Sequence, residues 1–528
     1  MDRRVDRSDG RVRRRIRWGW VAVAAVPAVF IGYFFIYPLI RILLLGLSEW
    51  SVGTSSVDAR LLRVGWFTVW QAVVSTLLTF VVAAPLTWAV STYEFRGRRL
   101  TMALVTIPFV LPTVVVGTAF VALGWRDSIG AILAAHVFFN VAVVVRTVST
   151  LWSRIDPRLL ESARVLGASP ARVMRRITLP LLRPALAAAG SIVFLFTFTS
   201  FGVVLILGGF EYATLEVEIY RQAVTLFDLP LAATLAVVQL IGVTGSLYWY
   251  SRYQERTATT WTLDHGSARR RPRGRARYGV AAAVLGTLGA LAIPLGVLAA
   301  RSLGGDHYRS LAVDDPVVGT PLASVGNSLV FGVIAMLLAT VVGLLSATLI
   351  TARRGQLSRW FDLTLMLPLG TSAVTIGLGF IVALDAPVDL RASFWLIPIA
   401  HALIAVPFVV RSTVPTLRSI PEQTREAAAV LGASPFRVWR RIDLPIVSRA
   451  VLVGAGFAFV VSLGEFGATS FVARPATATI PTMIVRLLSR PGEASFGMAM
   501  ALAVVLALVT TAVVLSLDRA RFGDLGSF

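Results

Sequence analysis

Two segments of this chain repeat one pattern of residue types at one spacing. In the first, Glu161-Ser-Ala is followed after three residues by Gly167, and after nine more by Ile177-Thr-Leu-Pro. In the second, Glu426-Ala-Ala is followed after three residues by Gly432, and after nine more by Ile-Asp-Leu-Pro. The chemistry that this pattern can supply is recognition of another protein, and we expect no catalytic residue on the chain.

The local sequence predicts that each segment folds into two short helices joined at its glycine, which we call a knob. Glu161 to Leu166 is a run of good helix formers, and Gly167 suits a left-handed helix cap. Ser169 and Pro170 suit the cap and first position of a second helix. Small residues let the cleft of another protein approach the backbone of each knob closely. They are Ala163 and Ala168 in the first knob and Ala427, Ala428 and Ala433 in the second.

The elements that must position these knobs are membrane-spanning helices. The chain is 56% hydrophobic and 15% charged, whereas soluble domains carry about 25% charged residues. Apolar runs long enough to cross a bilayer as helices recur along the whole chain. We predict an all-α integral membrane protein with about twelve spans, near 18–46, 65–92, 100–124, 129–151, 184–208, 230–250, 278–300, 325–351, 358–385, 392–414, 448–472 and 495–517.

Arginine placement predicts the orientation. The chain has 50 Lys and Arg residues and a formal net charge of +22, and we find no lysine, so every basic residue is Arg. Most of them lie between alternate spans, and basic segments stay on the cytoplasmic side. Both termini and both knobs are therefore expected in the cytoplasm of a bacterial cell, with the chain multi-pass in the plasma membrane. The basic residues flank a membrane and carry no aromatic platform, so we expect no nucleic-acid partner.

An internal repeat divides the chain. Residues 66–123 match 326–384, and further on His136 aligns with His401 and Phe201 with Phe466. Each half contains an even number of spans, so the halves are parallel six-helix repeats about an axis along the membrane normal. The predicted units are a basic N-terminus at 1–17, a first six-helix unit at 18–251, a basic cytoplasmic linker at 252–277 and a second six-helix unit at 278–528.

The duplicated pattern resembles the EAA loop of permeases from binding-protein-dependent ABC importers, with Ser162 as its one departure. The resemblance implies that each knob sits in a groove of an ATPase subunit, so two ATPase copies are expected. It also implies an extracytoplasmic binding protein that delivers the solute. A P-loop requires lysine, so ATP and Mg²⁺ are expected on the partner subunit and no cofactor on this chain. Metal-ligand spacing is absent from the sequence, and there is no cysteine.

The fused two-unit layout is similar to the permeases of ferric-iron and thiamine importers. The segments 135–140, 201–209, 213–220 and 464–467 carry this resemblance. Thiamine is favoured slightly over ferric iron as the solute. The alternative from another class is a twelve-helix secondary transporter, which would use buried charges for ion coupling and would not need paired knobs.

Ionisable residues inside the membrane are candidates for the solute path. Glu465 lies towards the outer end of its span, where the first half has Ser200, and either lines the path or reaches outer water. His136 and His401 recur at matched positions, which favours packing over contact with the solute. Metal binding is not predicted.

Arg221 and Arg486 occupy matched positions in the last outer loop of each half. A two-lobed binding protein could dock its acidic patches on them. The alternative is that they pair with the nearby Glu216 or Glu218, or with lipid phosphate.

Overall fold

The computed structural model describes residues 18–51, 59–257, 269–316, 319–352, 355–386 and 388–522. The predicted basic N-terminus at 1–17 lies outside the described residues, as do residues 258–268 of the linker and the last six residues. The described residues form helices and their connections, with two isolated backbone bridges. This is the expected outcome for apolar segments, because in a bilayer every backbone polar group needs a partner within the segment.

The described part of the first half contains twelve helices, with π-helical turns at Gly32–Ile36, Met174–Thr178 and Arg221–Thr225. Its helices are α1 (Trp18–Ile31), α2 (Tyr37–Ser51), α3 (Ala59–Thr92), α4 (Arg98–Val110), α5 (Thr113–Ala122), α6 (Ile129–Trp152), α7 (Pro157–Val165), α8 (Pro170–Val173), α9 (Leu179–Phe198), α10 (Gly202–Gly208), α11 (Leu215–Tyr220) and α12 (Leu229–Thr257).

The second half repeats this order, with a π-helical turn at Trp439–Asp443 and a 3₁₀ turn at Pro475–Thr477. Its helices are α13 (Arg275–Ser302), α14 (His307–Ser310), α15 (Ala323–Ala352), α16 (Gln356–Gly370), α17 (Ala373–Ala383), α18 (Leu396–Ser419), α19 (Glu422–Val430), α20 (Pro435–Val438), α21 (Leu444–Gly464), α22 (Thr469–Val472), α23 (Ile480–Leu488) and α24 (Glu493–Phe522).

Among the described residues, ten helical segments are long and apolar enough to span a membrane. Two further pairs of helices, α4 with α5 and α16 with α17, bend by 96° and 100° and bring the number to twelve if each pair is one span. The all-α membrane fold in two repeats is therefore confirmed. The bent pairs correspond to the predicted spans at 100–124 and 358–385, each of which the sequence predicts as one continuous segment.

The two bends share a geometry but not a sequence. In the first, Leu111 is extended because the proline that follows it disfavours a helical conformation. In the second, Thr371 is extended and Ser372 caps α17, its hydroxyl oxygen accepting hydrogen bonds from the backbone N–H groups of Val374 and Thr375. A proline in one half and a capping serine in the other thus end the preceding helix at the same place.

The predicted spans at 184–208 and 448–472 are also corrected. The corresponding helical segments are Pro170–Phe198 and Pro435–Gly464, so each starts within its knob and ends earlier than expected. The prolines near each start predict a break, but the π-helical turns Met174–Thr178 and Trp439–Asp443 carry the helix past them. Local π adjustment can do this because it satisfies the backbone groups that proline leaves unpaired.

The first span of each half packs on the other half. Helices α1 and α2 contact α15 and α17, while α13 contacts α3 and α5. Helix α5 also contacts α23 and α24, and α17 contacts α11 and α12. The bent helices therefore lie where the halves meet, and the halves are joined by reciprocal packing as well as by the linker.

Candidate functional site

The first knob is α7, a tight turn at Gly167 and α8. The N–H of Gly167 donates to the carbonyl of Arg164 at 2.9 Å, and the N–H of Ala168 donates to that of Ala163 at 3.0 Å. These two bonds form a Schellman motif, which requires a left-handed residue at the turn. Gly167 has φ of +80°, which confirms the predicted cap. Ser169 then accepts from the N–H of Arg172 and starts α8.

The second knob, made of α19, the turn at Gly432 and α20, repeats this geometry. Gly432 has φ of +79°, and its N–H donates to the carbonyl of Ala429 at 3.0 Å. The N–H of Ala433 donates to the carbonyl of Ala428, also at 3.0 Å, and Ser434 caps α20. The repeated Val-Leu-Gly-Ala-Ser-Pro segment thus folds to the same turn in both halves.

Each knob has an exposed apolar tip. The exposed fractions are 88% for Val165, 87% for Leu166, and 87% for both Val430 and Leu431. Large aliphatic side chains this exposed, at matching places in both halves and beside a rigid turn, are typical of a protein-binding surface. The small residues named from the sequence lie on the same helices and turns.

Each knob is continuous with a membrane helix. Helix α8 passes through the π-helical turn Met174–Thr178 into α9, and α20 passes through Trp439–Asp443 into α21. A rigid helix transmits a displacement of one end to the other, so a movement of either knob reaches the far end of α9 or α21.

The two knobs are anchored by different ion pairs. Glu161 pairs with Arg270, a linker residue that also forms backbone hydrogen bonds with Thr92 and Glu94 at the end of α3. In the second knob Glu426 is exposed, and the anchor is Arg425, whose Nε lies 2.8 Å from Asp443. In the described part of the linker, Arg270 thus joins the first knob to the end of α3.

The two predicted histidines are buried at equivalent points. The Nδ1 atom of His136 lies 3.1 Å from the Ser75 hydroxyl, and its Nε2 atom lies 2.9 Å from the Ser200 hydroxyl. The Nδ1 atom of His401 lies 2.6 Å from the Ser462 hydroxyl. Each ring thus ties its helix to neighbouring segments of the same half, and whether either histidine contacts the solute stays a prediction.

Glu465 takes the place of Ser200 in the second half. Its carboxylate accepts hydrogen bonds from the backbone N–H groups of Ala468 and Thr469 and lies 3.2 Å from Nε2 of His401. The group is buried and fully engaged, so it does not reach outer water in this conformation. Whether Glu465 and its partners line the path stays a prediction.

The two predicted docking arginines lie at the ends of equivalent helices. Arg221 follows α11, lies 3.7 Å from Glu218 and covers the ring of Phe210. Arg486 lies in the last turn of α23 and is half-buried. Helices α11 and α23 start alike, because the N–H of Leu215 donates to Thr68 and that of Ile480 donates to Ser328.

The sequence predicts Glu216 and Glu218 only as possible partners of these arginines, and both carboxylates are buried. Glu218 pairs with Arg60 at 3.2 Å and accepts from the Gln222 amide at 2.7 Å. Glu216 accepts from the Ser372 hydroxyl at 2.6 Å, a bond between the two halves, and from the amide of Gln239. The signal available in the sequence was a pair of acidic residues within an otherwise apolar helix.

Comparison with known proteins agrees with this geometry. The family model described as binding-protein-dependent transport system inner membrane component matches residues 81–258 and again residues 339–521. The two matches cover more than half of the chain. The chain therefore belongs to this family and is the fused two-unit permease of an ABC importer, multi-pass in the inner membrane.

Individual relatives are between 26% and 29% identical to this chain over the aligned residues. The thiamine transport system permease protein ThiP of Brucella abortus is 29% identical over 501 residues, which is 88% of this chain and 89% of that protein. ThiP of Escherichia coli is 26% identical over 447 residues, covering 80% and 83%. The putative 2-aminoethylphosphonate transport system permease protein PhnV of Salmonella typhimurium is 27% identical over 256 residues, which is 47% of this chain and 95% of PhnV.

Proposed function

We propose that this chain passes thiamine across the membrane and that each knob receives one ATPase subunit. The observation that carries the coupling role is the duplicated Schellman turn with an exposed Val-Leu tip, present in both halves. In this proposal ATP and Mg²⁺ are held by the two partner subunits, and this chain performs no covalent chemistry. The residues that contact each ATPase are those of the predicted sets, Glu161, Ala163, Gly167 and Ala168, and Glu426, Ala427, Ala428, Gly432 and Ala433.

The proposed mechanism is alternating access. Closure of the ATPase subunits displaces both knobs, and α9 and α21 carry the displacement through the membrane because each is continuous with its knob. The halves then move relative to each other around the bent helices α4–α5 and α16–α17, opening the path on the face opposite the knobs. Opening of the ATPase subunits reverses the movement.

The orientation in this proposal has the knobs and both termini in the cytoplasm. Arginines around the knobs support it, because basic segments stay on the cytoplasmic side. The binding protein then docks on the opposite face, where Arg221 and Arg486 remain the predicted contacts.

Thiamine is proposed as the solute on two grounds. Relatives that cover most of the chain are named as thiamine permeases. In addition, Glu216 is buried in α11 and accepts its hydrogen bonds from the uncharged Ser372 and Gln239, and such a carboxylate stabilises a cationic solute on its way through apolar surroundings.

Uptake by proteoliposomes tests this proposal. The vesicles contain the chain with its ATPase and receive the binding protein with radiolabelled thiamine or with ferric iron. We expect thiamine to accumulate and an excess of unlabelled thiamine, but not of ferric iron, to suppress the label. Accumulation of iron in place of thiamine would contradict the proposed solute and leave the family assignment unchanged.

A further inference from the structure

The two halves touch through a stacked pair of aromatic rings. Phe201 and Phe466 have ring centroids 5.2 Å apart and an interplanar angle of 18°. They align with each other in the internal repeat, and both are buried. Equivalent positions of two repeats can touch only close to the axis that relates them. The stack therefore marks the central axis, along which a solute passes between the halves.

The stack lies at the end of the membrane helices that is remote from the knobs. Phe201 follows α9 and Phe466 follows α21, and both helices begin at a knob. Helix α9 has 20 residues, which is about 30 Å at the rise of an α-helix. The stack thus closes the axis near the membrane face that is opposite the ATPase side.

The backbone around the stack leaves no open space. A Cβ atom on Gly202 would lie 2.7 Å from the Thr113 hydroxyl, and one on Gly467 would lie 2.8 Å from the Cβ of Ala373. Thr113 and Ala373 are the first residues of α5 and α17, at the corners of the two bent helices. Each half therefore presses its bent helix against its own segment beside the stack, and the arrangement repeats in both halves.

Further rings and a carboxylate join the halves on one side only. Tyr220 lies 5.4 Å from Phe201 and 5.5 Å from Phe471 of the other half, ring centroid to ring centroid. Glu216, one turn earlier on α11, accepts from Ser372 of the other half. Helix α23, which is the counterpart of α11, carries Pro481 and Val485 at these positions. The contact between the halves at the axis thus contains aromatic rings and one carboxylate. The first half supplies Tyr220 and Glu216, and the equivalent positions of the second half supply neither an aromatic ring nor a carboxylate.

We propose that Phe201 and Phe466 are the closed gate of the path, and that their separation exposes four rings and Glu216 as a transient site for a flat aromatic cation. Separation of the halves leaves the faces of Phe201, Phe466, Tyr220 and Phe471 without their partners. A cationic aromatic ring replaces them by stacking and cation–π contacts, and Glu216, released from Ser372, balances its charge. The rings restack behind the solute. The cation part of this inference rests on the proposed function, and the gate does not.

Cysteine cross-linking tests the gate without any solute. The chain has no cysteine, so Phe201→Cys with Phe466→Cys introduces the only thiols. In the complex with the ATPase, we expect a short bifunctional maleimide to cross-link this pair without nucleotide and a non-hydrolysable ATP analogue to reduce the yield severalfold. A yield unaffected by the analogue, or no cross-link in either state, would overturn the gate.

A pair within one half provides the matched control. Phe109 and Phe139 have ring centroids 5.4 Å apart, and both lie in the first half. We expect the cross-link yield of Phe109→Cys with Phe139→Cys to be the same with and without the analogue. A fall equal to that of the central pair would mean a general loosening of the protein and would contradict a gate on the axis.

Uptake of thiamine tests the cation site. We expect Tyr220→Leu and Glu216→Gln each to lower uptake about tenfold, with a smaller loss in Tyr220→Phe because the ring remains. Tyr248→Leu, a change of an exposed tyrosine on α12, is the control and keeps wild-type uptake. Full uptake by Tyr220→Leu and Glu216→Gln would overturn the site. If the wild-type complex carries no thiamine, the proposed function and the cation site fail together, while the cross-linking result still decides the gate.

Discussion

Replacing Gly167 and Gly432 by valine together lowers ATP-driven uptake by on the order of a hundredfold, while the permease stays folded in the membrane. Both glycines have left-handed φ values, +80° and +79°, where an L-residue costs about 1–2 kcal/mol and a β-branched one more. Apart from the glycine and its chain neighbours, no atom of the described residues lies within 4 Å of the place that a Cβ atom would take at either glycine, so the strain is confined to the local backbone. The strain is relieved by opening the turn, which displaces both tips. Radiolabel uptake by proteoliposomes measures the loss.

The control for this double variant is Gly319→Val. Gly319 has a similar φ of +75° and the same empty surroundings, but it lies in the connection before α15 and belongs to neither knob. We expect it to keep uptake near the wild-type rate. Equal losses in the control and in the double variant would assign the effect to backbone strain in general and remove the special role of the knobs. Wild-type uptake by the double variant would also contradict a special role of the knobs.

Replacing Leu166 and Leu431 by aspartate releases the ATPase subunits from the chain. Each leucine is 87% exposed, so the change costs the free permease little. Full burial of a leucine in a partner contributes about 1.5–3 kcal/mol, and an aspartate at the same place leaves a buried charge. We expect affinity for the ATPase to fall at least about tenfold at each knob, measured by co-purification of the ATPase at increasing salt.

Val313→Asp is the matched control for these variants. Val313 is a 64% exposed aliphatic residue in the connection that follows α14, away from both knobs. It should retain the ATPase as the wild type does. Co-purification that survives the double leucine change would show that the tips are not the contact surface.

The parts of the fold that the sequence predicts correctly are those that depend on neighbouring residues in the chain. Apolar runs of bilayer length define the spans, and their bounds agree with the helices where no proline intervenes, as at α6 and α15. Glycine at a helix end and Ser-Pro at a helix start are equally local, so the knob turns at Gly167 and Gly432 follow from the residues themselves. The repeat then gives the two-unit architecture.

Proline is where the prediction fails, because its effect depends on the surroundings. Pro112 ends a helix, yet the helix through Pro180 and Pro184 continues after a π-helical turn. The second bend has Ser372 where the first has Pro112, and it depends on a side-chain cap. Whether a helix ends at a proline or continues past it depends on the packing and hydrogen-bond partners that neighbouring helices provide.

Contacts between the halves are the other part that the sequence does not contain. Nothing local indicates that α1 packs on α15 or that α13 packs on α3. The same holds for the contact of Glu161 with Arg270 and for the stack of Phe201 on Phe466. The repeat aligned the two phenylalanines, but only the assembled fold shows that their rings meet.

The central claim is that ATP-driven movement of two knobs opens one path between two halves. Its most direct test is uptake by proteoliposomes with ATP supplied on the knob side and all ion gradients collapsed by an ionophore. We predict that ATP alone supports uptake of the solute delivered by the binding protein, and that removing ATP stops it. Uptake that needs an ion gradient and proceeds without ATP would contradict the account and favour a secondary transporter.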